Sequence, residues 1–264
     1  MPSSLLEGKT VVVSGVGAGL GHQVAAAVVR DGGNAVLGAR TEANLAKSAA
    51  EIDPAGTRTA YRATDITDEA QCEALARLAD ERFGGVDAVV HVAAWDSYFG
   101  GVEDADFETW HQVVDVNLLG TLRMTRACLP LLRQRRGGSV VFIGTQSAVA
   151  APSQVRQAAY AASKGALTSA MYSLAQEVGP DRIRVNTVLP GWMWGPPVEA
   201  YVQFTAHTEG VPEAEVRERL AARMALPELA TDADVADAVA FLASDRARSI
   251  TGQSLLVNAG EIMR

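Results

Sequence analysis

A chain of 264 residues with 48% hydrophobic side chains, 6% aromatics and a formal charge of −8 can bury one large core, and a single domain over residues 1–264 suits it better than two. The acidic balance disfavours broad contact with nucleic acid or anionic lipid, because both need clustered Lys and Arg. The densest basic run, Arg133-Gln134-Arg135-Arg136, is short and reads as a solvated helix end.

Cys72 and Cys128 lie far apart, with neither a disulfide-framework nor a metal-site spacing, so no metal is expected and a reducing compartment fits. Met1–Lys9 has no apolar signal core, and no apolar run of membrane-spanning length follows. The expected protein is cytoplasmic, with no membrane and no nucleic-acid partner.

Short β-branched runs alternate with longer stretches of helical period, the pattern of βαβ units winding a parallel sheet. Strands are expected near 10–15, 34–39, 58–63, 86–92, 139–144, 183–189 and 254–258. The fold class is therefore α/β: a Rossmann-like, doubly wound parallel sheet of about seven strands with helices on both faces. Thr231-Asp232-Ala233-Asp234 predicts a capped helix start.

The first strand breaks into Ser14-Gly15-Val16-Gly17-Ala18-Gly19-Leu20-Gly21 and then a helix. Free backbone N–H groups at a helix start, aided by the macrodipole, favour phosphate oxygens. Gly15, Ala18, Gly19 and Leu20 are thus candidate cofactor contacts, although any tight strand-to-helix turn uses glycine for packing.

The second strand ends at Arg40-Thr41, about where an adenosine ribose lies in a dinucleotide-binding sheet. An acid there accepts from a ribose 2′-OH, whereas an arginine fork suits a 2′-phosphate. Arg40 without an acid favours NADP(H), with NAD(H) possible; its alternative is a solvated residue before the next helix. The third strand ends at Thr64-Asp65-Ile66-Thr67, where Asp65 could accept from an adenine amino group and Ile66 pack on the ring. A helix cap is the alternative for Asp65 or Thr67. In the fourth strand His91 reads as a satisfied core histidine rather than a base.

Asn117 sits in an apolar helical stretch, where its amide needs a specific partner. The run from Gly138 to Ser147 reads as a buried strand ending in hydroxyls at the sheet's carboxyl edge, where ligands bind in open α/β folds. Such a hydroxyl can polarise a substrate oxygen. Tyr160-Ala161-Ala162-Ser163-Lys164 stacks a phenol and an ammonium at i and i+4. A nearby cation lowers a phenol's pKa from about 10 towards working pH, so Tyr160 could exchange a proton with an alcohol or carbonyl. Chance pairing on an amphipathic helix is the alternative. Against it, the chain has 20 Arg and three Lys, one of which is Lys164, and Arg cannot supply a compact ammonium. After the strand beginning near 183, Pro190 and Met193 are candidate cofactor contacts. Ile250-Thr251-Gly252-Gln253 leads into an apolar edge strand, a liability that association can cover.

Taken in order, the Gly-x3-Gly-x-Gly turn, Asn117, a hydroxyl before Tyr160, Tyr160-x3-Lys164, Pro190-Gly191 and Ile250-Thr251-Gly252-Gln253 resemble the short-chain dehydrogenases/reductases over nearly the whole chain. The resemblance implies hydride transfer between NAD(P)(H) and a ketone or secondary alcohol on a fairly hydrophobic small molecule. It implies Tyr160 as acid/base, Lys164 as holder of the ribose and tuner of Tyr160, Asn117 as orderer of a proton-relay water, Ala93 beside the cofactor, and a homotetramer or dimer. Strand register aligns the catalytic hydroxyl with Thr145, whereas the usual spacing of 13 residues before Tyr160 lands on Ser147. Both are carried.

Two places depart from the family. His91-Val92-Ala93-Ala94 replaces Asn-Asn-Ala-Gly, and Gly195 stands where a threonine often meets the nicotinamide carboxamide. Residues of about 192–226 look like the family's substrate lid. Tyr201, Phe204 and His207, with Trp95, Tyr98 and Phe99, suggest an aromatic-lined pocket or else packing. A 3-oxoacyl-carrier-protein reductase and a non-catalytic dinucleotide-binding regulatory protein are the competing functions.

Overall fold

A computed structural model describes residues 4–150 and 155–263; Met1–Ser3, part of the N-terminal stretch read above, lie outside them. The elements are β1 (Thr10–Ser14), α1 (Leu20–Arg30), β2 (Asn34–Ala39), α2 (Glu42–Ile52), β3 (Thr59–Ala63), α3 (Glu69–Phe83), β4 (Ala88–His91), α4 (Phe107–Val114), α5 (Thr121–Gln134) and β5 (Gly138–Ile143). They continue with α6 (Ala158–Val178), β6 (Ile183–Pro190), β7 (Met193–Trp194), α7 (Pro196–Glu209), α8 (Glu213–Ala221), β8 (Ala230–Thr231), α9 (Asp232–Ala243) and β9 (Ser254–Val257). A π-helical turn, Asp115–Gly120, joins α4 to α5.

Seven strands pair in parallel in the order β3-β2-β1-β4-β5-β6-β9. The two-residue alternation of a strand explains the two cores. Val11, Val13, Ala35, Leu37, Val90 and Val141 pack with α1, α2 and α9, while Val12, Val36, Val89, Val140 and Phe142 pack with α3, α5 and α6. Both faces are covered, which is why the strands read as continuous apolar runs. All seven expected strands are present within a residue or two of their expected bounds. The short β7–β8 pair, absent from the sequence reading, ties Met193 to Ala230 and Trp194 to Thr231.

Other details depart from or refine the reading. The cap of α3 is Asp68, which accepts from Gln71 N, rather than Asp65 or Thr67; Asp65 Oδ1 instead accepts from Thr67 N at 2.9 Å and Thr67 Oγ1 at 2.7 Å. Thr231 and Asp234 form a capping box at the start of α9. The late Thr251-Gly252-Gln253 turn sets register: Thr251 Oγ1 accepts from Val185 N at 3.0 Å, and buried Asn186 bridges Ile250 O and Gln253 N. β9 is the sheet edge, with Leu255 exposed. No helix among the described residues is long and apolar enough to cross a membrane.

Candidate active site

Strand order turns outward on either side of the β1–β4 boundary, the topological switch point at which open α/β sheets leave a crevice. An open cleft of about 1110 Å³ lies there, walled from Arg40 and Thr41 across the glycine turn to Trp95 and Asp96. Gly15, at φ +98°, meets β4 so closely that a Cβ would lie 2.1 Å from Ala93 N; on Gly21 it would lie 2.2 Å from Gly15 O. These two glycines serve close packing. Gly17 faces open space, and α1 begins at Gly19 with no side-chain cap and no acid in its first turn. Its backbone N–H groups are uncapped and can receive an anion on the Gly17 side, while a Cβ on Gly19 would lie 3.1 Å from Asp232 Oδ2.

Of the expected cofactor contacts, Gly15, Gly19, Leu20, Arg40, Asp65, Ile66 and Ala93 line this cleft. Ala18, Tyr160, Lys164, Pro190 and Met193 do not form its described wall; Met193 packs against the core. Arg40 is exposed and makes no ion pair or hydrogen bond with the described residues. Thr41 and Asn44, overlooked in the sequence, also line the cleft; their signal was polarity at the start of a helix beside Arg40.

Tyr160 and Lys164 share one face of α6, with the ammonium 5.9 Å from the phenol ring centroid. Lys164 is 1% exposed, and its Nζ donates to Ile143 O, at the end of β5, at 2.7 Å. Burial pushes its pKa down to about 8, against an upward pull from Asp96. Lowering of the phenol's pKa, expected from the sequence, is not what this arrangement gives: burial first, and then the charge of Asp96, holds Tyr160 above its ordinary value. A hydrogen bond from Thr145 opposes both. Thr145 is buried at the end of β5, where it also accepts from Ser147 N at 3.2 Å.

Asn117, fully buried in the π turn, clamps the strand-four loop. Its Oδ1 accepts from Trp95 N at 2.7 Å, and its Nδ2 donates to Trp95 O and Ser163 Oγ, each at 3.0 Å. Ser163 Oγ donates onward to Tyr160 O at 2.8 Å, so α5's entry, the loop after β4 and α6 share one network. His91 is a core residue, as expected. Thr125 spends its hydroxyl proton on Thr121 O at 2.8 Å, so its oxygen accepts from His91 Nε2–H at 2.9 Å. Burial, and the charge of Lys164, push the imidazole's pKa down to about 3.

Gly195 has a physical reason. A Cβ there would lie 2.7 Å from Asp232 Oδ2, so the space of the missing side chain is taken by a carboxylate whose pKa is raised by burial and by Glu199. Among the six aromatic and His candidates, only Trp95 lines the cleft. Tyr201 packs against Trp192 with centroids 4.9 Å apart and ring planes tilted by 53°, Tyr98 accepts from Asp106 N, and Phe99, Phe204 and His207 are exposed.

A nucleotide cradle beside a half-buried Tyr and a buried Lys on one helix face is the architecture of a dinucleotide-dependent oxidoreductase. The family described as enoyl-(acyl carrier protein) reductase matches residues 15–261. An uncharacterised oxidoreductase of Methylorubrum extorquens is 33% identical, with 97% of this chain and 99% of that protein covered. L-fucose dehydrogenase of Bos taurus is 34% identical over 96% of this chain and 89% of that one. L-sorbose reductase of Gluconobacter frateurii, solved with NADPH and L-sorbose, superposes with a TM-score of 0.92 at 25% identity, covering 99% of each chain. The chain belongs to the short-chain dehydrogenase/reductase family. It is an NAD(P)-dependent oxidoreductase acting on alcohol and carbonyl groups.

Proposed function

We propose that the chain reduces a ketone, or oxidises the matching secondary alcohol, on a fairly hydrophobic small molecule, and that it prefers NADP(H) to NAD(H). The observation that carries this reading is Tyr160 one helical turn from buried Lys164, whose Nζ lies 5.9 Å from the phenol ring centroid and donates to Ile143 O two residues before Thr145, beside a cleft that begins at unpaired Arg40. The cleft suits the cofactor: Gly17 faces open space beside the uncapped α1 N-terminus, and Arg40 faces no competing acid on β2. When bound, the nicotinamide supplies or accepts the hydride.

Tyr160 gives its proton to the carbonyl oxygen, or takes it from the alcohol. Thr145 steadies that oxygen, Lys164 holds the nicotinamide ribose and the phenol, and Asn117 retains one acceptor lone pair for a relay water. Gly15, Ala18, Gly19 and Leu20 cradle the phosphates, Asp65, Ile66 and Ala93 flank the adenosine and its ribose, and Pro190 and Met193 back the nicotinamide. Residues 1–264 form one domain, with about 192–226 as a lid. The family description favours a carrier-bound acyl substrate, but a charge of −8 and the carboxylate of Asp96 beside Tyr160 and Lys164 weigh against an anionic carrier. A panel of ketones and alcohols, with both nicotinamides and absorbance of the reduced cofactor as readout, tests the function. Cofactor binding with no hydride exchange on any of them would leave the regulatory-protein reading.

Two narrower results are expected. Thr145→Val should lower kcat about ten- to a thousandfold, and Ser147→Ala only a few-fold; the reverse order would transfer the role to Ser147. NADPH should bind about ten- to a hundredfold more tightly than NADH, the scale of one charge-assisted contact. Arg40→Ala should remove most of that preference in fluorescence titrations at fixed ionic strength. Equal wild-type affinities would end the NADP assignment without touching the catalytic one. The protein is assigned to the cytoplasm and to a homotetramer that covers the apolar edge at β9; light scattering from a monomer at micromolar concentration contradicts the tetramer.

A further inference from the structure

Glu261 stands between two parts of the molecule that catalysis must keep in register. Its Oε2 accepts from Gln146 Nε2 at 2.5 Å, and its Oε1 accepts from Arg223 NH2. Gln146 directly follows Thr145, while Arg223 lies just beyond α8, at the far end of the lid. The Glu261 side chain is only 7% exposed, so both bonds are made largely out of water, where charge-assisted contacts are strong and an unpaired partner is costly.

Neighbouring contacts repeat this two-sided attachment. Towards the lid, Leu226 N donates to Ala259 O at 3.0 Å, and Gly260, at φ +81°, comes so close that a Cβ would lie 2.7 Å from Ala225 Cβ. Towards the loop after β5, Asn258 Nδ2 donates to Gln146 Oε1 at 3.0 Å. At the lid's entry, a Cβ on Gly191 would lie 2.6 Å from the same Gln146 Oε1. Arg223 also faces the ring of Trp192, with its Cζ 5.8 Å from the centroid, and its NH1 is buried without a partner among the described residues. The guanidinium therefore depends on Glu261.

We propose that Glu261 is a positioning residue that couples the lid to the loop carrying Thr145, so that seating of the lid and alignment of the hydroxyl are one event. The inference rests on the roles given above to the lid and to Thr145. Glu261 itself touches no reacting atom. It acts through Gln146 on one side and Arg223 on the other.

Hydrogen–deuterium exchange of the full chain, followed by mass spectrometry, reads the coupling without any substrate. Arg223→Gln alters only the lid side of the bridge, yet it should speed exchange of amides 145–149 about tenfold or more, together with those of the lid, while β5 and β6 keep wild-type protection. Glu261→Gln should give the same pattern. Loosening confined to the lid overturns the proposal, and so does a uniform rise that includes β5. With a ketone that the wild type reduces, Glu261→Gln should lower kcat about tenfold and leave the dinucleotide Kd within about twofold. Exchange coupling with unchanged kcat overturns the positioning role. A wild type that neither binds dinucleotide nor turns over any ketone instead defeats the functional reading, and the exchange data still decide whether the two segments are coupled.

Discussion

Tyr160→Phe is expected to lower kcat about a hundred- to ten-thousandfold while leaving the dinucleotide Kd near its wild-type value. The ring and its packing on α6 remain, and only the transferable proton is removed. Burial, and the charge of Asp96, hold the phenol above its ordinary pKa, so in the free protein the hydroxyl is a proton donor throughout the neutral range. That state suits carbonyl reduction directly. Alcohol oxidation needs the proton to leave first, so its rate should climb with pH over a range in which reduction is flat. Stopped-flow rates in both directions, with cofactor titrations beside them, check the pair of statements. A Phe variant within tenfold of wild type would remove Tyr160 from the mechanism.

Lys164→Met should abolish turnover to a similar degree without destabilising the fold at neutral pH. The ammonium is buried, and its pKa falls from 10.5 to about 8. The unfolded chain thus binds this proton more tightly than the folded one, and between pH of about 8 and 10.5 wild-type stability rises with pH. That gap corresponds to roughly 3 kcal/mol of strain carried by the folded protein at pH 7. Methionine removes the charge at similar volume but loses the bond to Ile143 O, which costs about 1–3 kcal/mol. The variant should be about as stable as wild type, or more so, at pH 7, and should lose ground relative to it by pH 10.5. Denaturant melts at the two pH values decide this: a variant markedly less stable at pH 7 would mean that Lys164 serves the fold rather than the chemistry.

Such a trade between stability and function explains what the sequence made legible. The seven strands could be read because each is a run of β-branched residues buried on two faces and bounded by turn residues, a local property. The order of Asn117, Tyr160 and Lys164 was readable for a related reason, since each sits at a fixed place on a helical segment, whereas Thr145 and Ser147, in the turn after β5, stayed alternatives. What could not be read depends on partners distant in sequence. Packing from distant segments desolvates Tyr160, and Asp96 adds its charge through space, so the direction of the phenol's shift is opposite to the sequence expectation. Asp232 fills the place opposite Gly195 across 37 residues, and Glu261 meets Gln146 across 115. Asp68, which the sequence reading passed over, caps α3 while Asp65 closes its own turn on Thr67, since a carboxylate at either place can accept from an amide two or three residues on.

The π turn at Asp115–Gly120 sets the angular phase between two helices. α4 packs on α6, whereas α5 packs on α3, and one residue more or less in the turn between them shifts their relative phase by about 100°. The wider turn absorbs one residue of mismatch and leaves Asn117 pointing inward. Length in this stretch is therefore as constrained as identity. Deleting a single residue between 115 and 120 would let the helix close into regular geometry, with little change in helical content. It would also rotate Val113, the buried residue of α4, by about 100° relative to α5 and break the contact between Asn117 and Ser163.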